Sequence, residues 1–142
     1  MTNDERKEMA RRLIDQIWNR GDLNAIDDMF SATCSFHDPS FPLRGTADLK
    51  TQVRELRAAN EDLHLDMHEI MCDGDLMAAR FTMAGTATGD FRGIPATGRS
   101  WVMSGMVMSL WEGDRIVEEW HNFDMLGVLQ QMELVPDMAS QD

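Results

Sequence analysis

Residues 115–124 hold the richest set of proton-transfer groups in this 142-residue chain. On an extended strand alternate residues share a face. Glu118, Trp120, Asn122 and Asp124 therefore fall on one side, and Val117, Glu119, His121 and Phe123 on the other. A row of Trp, Asn and Asp makes an apolar wall carrying a few polar groups. A carboxylate beside that tryptophan loses solvation, which raises its pKa toward working pH and suits it to move a proton at carbon next to a carbonyl. Asp124 is the candidate, and the competing reading makes it the N-cap of a short helix carrying Leu126 and Leu129. His37-Asp38-Pro39 forms a second polar cluster. His37 is expected to point into a pocket mouth and hydrogen-bond a substrate oxygen, while Asp38 before a proline reads as readily as a turn residue.

Other chemistries fit less well. His64 and His68 would share a helix face, but the surrounding period is two, which separates them by about 13 Å along a strand. No glutamate follows the first histidine as a zinc protease requires, so no metal site is expected. The glycines of residues 85–98 lack the lysine and helix of a phosphate-binding loop and read as turn residues, with Phe91 and Ile94 as apolar lips of a pocket. Cys34 and His37, three apart on a strand, point to opposite faces, and Ser100, Ser104 and Ser109 have no nucleophile-elbow context. Tyrosine is absent, which removes every mechanism that needs a phenol.

The elements that must position these groups follow from periodicity. Met9, Ala10, Leu13, Ile14, Ile17 and Trp18 form the stripe of an amphipathic helix ending near Gly21, and Asp22 caps a shorter one with Leu23, Ile26, Met29 and Phe30 inside. A short strand over Cys34 to Asp38 precedes a third helix opening at Thr46, with Leu49, Val53 and Leu56 inward. From Asp62 the period is two, with a bulge near His68 and Glu69 and a hairpin at Asp73-Gly74. Strands follow over Leu76 to Thr86, Ser100 to Trp111 and Arg115 to Phe123, and Leu126 to Met132 is a short helical tail. The expected class is α+β: one domain, 1–142 with its core at about 5–132 and a flexible tail at 133–142, in which a curved antiparallel sheet wraps three N-terminal helices as a cone with an open end.

Composition narrows the partners. The net charge is −12 and the pI near 4.6, which disfavours nucleic acid and anionic membrane. The polar N-terminus and the lack of a long apolar run predict a cytoplasmic protein with Cys34 and Cys72 as free thiols.

Trp18-Asn-Arg-Gly-Asp-Leu23, His37-Asp-Pro39, Gly89-Asp-Phe-Arg-Gly-Ile-Pro-Ala-Thr-Gly-Arg99 and Gly113-Asp-Arg-Ile-Val-Glu-Glu-Trp120, running on through Asp124 and Gly127, occur in an order and spacing that resembles the SnoaL-like polyketide (ester) cyclases of the nuclear-transport-factor-2-like superfamily. The resemblance implies a cone-like α+β barrel, usually a homodimer through its outer sheet face. It also implies cofactor-independent, lyase- or isomerase-like acid/base chemistry: intramolecular aldol-type ring closure of a hydrophobic carbonyl compound. Asp124 would be the acid/base, and His37, Trp120 and Asn122 match pocket positions that would contact substrate; Glu118, Ser104 and Met106 are further candidate contacts beside them. A rival reading is a non-catalytic binder of hydrophobic small molecules, with Met83, Met103, Met106 and Met108 as an adaptable lining. A steroid isomerase, dehydratase or epoxide hydrolase on this fold would generally rely on a tyrosine, which the chain lacks.

Overall fold

In the computed structural model, residues 1–137 are described. Helix α1 (Asn3–Ile14) opens with a capping box in which Thr2 and Glu5 satisfy each other's backbone N–H groups. The helix then widens into a π-helical segment, Asp15–Asn19, that continues the apolar stripe through Ile17 and Trp18. It stops at Gly21, whose φ of +69° favours glycine and where a Cβ would stand 2.7 Å from Arg57 Nε. The carboxylate of Asp22 accepts the Asn24 N–H at the start of α2 (Asn24–Met29). Strand β1 (Phe30–His37) leads to α3 (Thr46–Ala59), then come β2 (His64–Asp73), β3 (Leu76–Thr86), β4 (Ser100–Glu112), β5 (Arg115–Phe123) and α4 (Met125–Gln131).

The five strands form one sheet in the order β1-β5-β4-β3-β2. Strands β2 to β5 make the antiparallel meander, whereas β1 runs parallel to β5. The expected bulge in β2 is a register shift between Met67 and Ile70. Its carbonyls do not stay bare: Arg11 donates to the oxygens of Met67 and His68, and Asn19 exchanges hydrogen bonds with the backbone of Leu65. The helix layer thus covers one sheet edge with side-chain donors.

A second shift decides what β5 presents. Trp111 pairs with Ile116 but Leu110 pairs with Glu118, so one extra residue bulges out of β5 between them. Ile116 is buried, yet beyond the bulge the buried residues are Glu119 and His121. The even-numbered residues of β5 therefore leave the inner face. Helices α1 to α3 pack against that inner face around Leu13, Ile17, Ile26, Met29, Val53 and Trp111, and a second apolar cluster around Leu65, Phe81, Met83 and Trp101 extends toward α4. Glu133–Pro136 stays tied to the body through an Arg99–Glu133 ion pair and the Leu134 N–H bond to Leu129 O. The expectation of flexibility for 138–142 lies outside the described residues.

Candidate active site

Between the helices and the inner sheet face lies a cavity of about 130 Å³. Its walls are overwhelmingly apolar: Trp18 from the π segment, Leu49 and Leu56 from α3, Met83 and Trp101 from β3 and β4, and Val128 from α4. Phe91 and Ile94 close one side, joined to each other by a two-way backbone bridge, and Phe91 packs edge-on against Phe41. The expectation of apolar lips from this loop matches their placement.

Into this space β5 presents Glu119 and His121, and β4 presents Ser109. The three form a hydrogen-bonded chain. Ser109 Oγ donates to Glu119 Oε2 at 2.8 Å, and Glu119 Oε1 lies 2.7 Å from His121 Nε2. The other imidazole nitrogen, Nδ1, lies 3.1 Å from Asp38 Oδ2. Asp38 comes from the turn after β1 and its side chain is only 1% exposed. Its second oxygen accepts the N–H groups of Ser40 and Phe41, so it is both turn residue and site residue. Phe36 and Phe123 pack beside the imidazole, their ring centroids 5.9 and 5.2 Å away.

The electrostatics follow from this geometry. Burial alone would pull the His121 pKa down, but hydrogen bonds and charge from Asp38 and Glu119 outweigh it and raise it to about 9. Burial pushes Asp38 up, and the bonds from His121, Phe41 and Ser40 more than reverse this, leaving it below its ordinary value. At neutral pH His121 is therefore an imidazolium, held between Asp38 and the side chain of Glu119 in a low-polarity cavity. Cys34 is driven the other way: burial, then the charges of Glu119 and Glu118, raise its thiol to about 12 and keep it protonated. Both cysteines are free thiols.

The residues singled out from sequence lie elsewhere. Asp124 is exposed at the N-cap of α4 and its Oδ1 accepts the Gly127 N–H at 2.9 Å, so the capping reading describes its position and the desolvated-carboxylate reading does not. Glu118, Trp120 and Asn122 face away from the cavity because the β5 bulge reverses the alternation. His37 sits outside too, 2.7 Å from Glu118 and stacked on Trp120. Ser104 and Met106 are exposed on the outer face of β4, as is Met108, whereas Met83 and Met103 line the cavity. One signal could have found Asp38: it shares the parity of Cys34 and Phe36, the apolar residues of β1. Glu119 and His121 had no such signal, because the bulge that turns them inward is set by pairing with β4.

Comparison with known proteins agrees with this architecture. The family model for SnoaL-like polyketide cyclases matches residues 8–132. A candidate polyketide cyclase from Acidithiobacillus ferrooxidans is 30% identical, with a TM-score of 0.81 over 96% of this chain and 100% of that one. TsrD from Streptomyces laurentii shares the fold at 24% identity, TM-score 0.86, over 95% and 100% of the two chains. IdmH from Streptomyces antibioticus, a candidate polyketide cyclase, is 26% identical with a TM-score of 0.71 over 87% and 97%. No curated protein matches the chain. No helix among the described residues is long and apolar enough to cross a membrane. With helices wrapped by a mostly antiparallel curved sheet, and with matches over nearly its whole length, this chain belongs to the SnoaL-like polyketide cyclase family.

Proposed function

We propose that the chain closes a ring in a hydrophobic carbonyl compound by intramolecular aldol-type chemistry, with Glu119 as the acid/base. The observation that carries this reading is the Ser109–Glu119–His121–Asp38 chain set in an otherwise apolar cavity. Each carboxylate oxygen keeps a lone pair beyond its internal bond, so Glu119 can accept a proton from substrate while Ser109 and His121 fix its orientation. The substrate C–H proton passes to Glu119, and the electron pair is delocalised as an enolate. The enolate carbon then attacks a second carbonyl carbon of the same molecule, forming the C–C bond and leaving an alkoxide. Glu119 returns its proton to that oxygen, which restores the site. His121, held in its charged form by Asp38, stabilises the Glu119 carboxylate between turnovers and orients it. No cofactor enters these steps.

The largely apolar lining favours neutral substrates such as esters and ketones over free acids, whose charge it would desolvate. The test is deuterium exchange at C2 of 1-phenylbutan-1-one, followed by NMR. Acceleration by the wild type that drops at least about 100-fold in Glu119→Gln supports the assignment. Binding without any exchange would instead make the protein a small-molecule carrier. We also propose a homodimer. Val102, Met106 and Met108, exposed by 54, 60 and 45%, form an apolar stripe on the outer sheet face, and a second copy of the same stripe would cover it.

A further inference from the structure

Gln52 is a polar residue within an apolar stripe. On α3 it stands three residues after Leu49 and four before Leu56, and all three line the cavity. It is only 7% exposed. Among the described residues its amide makes no hydrogen bond, and both amide atoms keep accessible surface, unlike the sealed Arg6 Nε and Trp111 Nε1. The contrast with Asn60 is direct. That amide, also on the cavity wall, is used internally: it donates to Leu56 O at 3.1 Å and accepts Trp101 Nε1–H at 2.8 Å. A leucine or methionine would fill the same stripe without carrying an amide that needs a partner. The Gln52 amide therefore has its hydrogen-bonding capacity free toward whatever occupies the cavity.

We propose that Gln52 is a specificity-determining residue: its amide hydrogen-bonds a second oxygen of the ligand, so the cavity selects apolar compounds with two oxygen functions. One oxygen lies at the Glu119–His121 cluster on the sheet and the other at Gln52 on the helix layer. The proposal rests on the cavity as the ligand site but not on turnover, because the preference is expressed in binding. A compound lacking the second oxygen leaves the amide desolvated and unpaired, the situation in which polar sites discriminate most strongly.

The experiment compares calorimetric binding of 1-phenylbutane-1,3-dione and 1-phenylbutan-1-one, which differ by that one oxygen. The wild type is expected to bind the diketone about tenfold more tightly, the yield of one well-made hydrogen bond. In Gln52→Met the ratio falls to about one while thermal unfolding stays at or above the wild-type midpoint, and Gln52→Leu serves as a second variant should the first fold poorly. A structural role for Gln52 would lower the midpoint and leave the ratio alone. Equal affinities in the wild type, no binding of the diketone, or a tenfold ratio that survives in the variants would overturn the proposal. Loss of deuterium exchange in the wild type with the diketone preference intact would defeat the proton-transfer reading and leave this one standing.

Discussion

Asp38 and His121 stand 83 residues apart in the chain, yet Asp38 Oδ2 lies 3.1 Å from His121 Nδ1, and both side chains are almost fully buried. The contact joins the turn after β1 to the inner face of β5. It leaves the other imidazole nitrogen for Glu119, so the whole candidate site depends on it.

Replacing Asp38 by Asn keeps a hydrogen-bond partner but removes a charge. The His121 pKa is then expected to fall from about 9 toward its ordinary 6.5, as read by NMR titration of the ring protons. Deuterium exchange of the ketone should fall by about tenfold, because Glu119 loses its charged neighbour at neutral pH. An unchanged His121 titration would show that Glu119 alone holds the charge.

Asp124 and Glu119 make opposite predictions. Asp124→Ala removes the cap of α4 and is expected to cost about 1 kcal/mol of stability while sparing exchange activity. Glu119→Gln is expected to abolish exchange. Paired denaturation curves and exchange rates separate the two, and loss of exchange in Asp124→Ala would return the acid/base role to the cap residue.

Stability should depend on pH on both sides of neutrality. His121 has a raised folded pKa, so its contribution is complete below pH 6.5 and is lost as pH climbs through about 9. Between pH 6.5 and 8.5 the unfolding free energy should fall by up to about 1.4 kcal/mol for each pH step. Cys34, whose folded value is about 12, adds to the loss only above its ordinary 9.0. Asp38, lowered in the fold, contributes above 3.8 and that contribution disappears as pH falls through its depressed value. Denaturant midpoints from about pH 2 to about pH 10 check this, and His121→Gln should flatten the limb between 6.5 and 8.5.

Charge on the outer sheet face should dissociate the proposed dimer. Met106→Lys places like charges against each other across a two-fold axis, and sedimentation is expected to shift from dimer to monomer with the helical and strand content kept. A wild type that sediments as a monomer would remove the dimer outright.

The strands were legible because strict alternation and turn residues mark them locally. Leu76–Thr86 and Arg115–Phe123 appear with their expected ends, and the β2 bulge lies where the apolar parity switches. The family was legible as well, since its motifs are spaced along most of the chain. Which face of β5 meets the cavity was not. Both faces of that strand mix apolar with ionisable residues, so composition could not rank them. A single residue bulged against β4 reversed the alternation set by Ile116 and sent Glu119 and His121 inward and Trp120 outward. Similarly, Asp38 and not the adjacent His37 turns inward, because it continues the buried parity of Cys34 and Phe36. Sequence by itself determined the elements, their order and the acidic, tyrosine-free chemistry available. Only tertiary structure decided which carboxylate of β5 faces the cavity, because a strand's period is a local property whereas its register is fixed by the neighbouring strand.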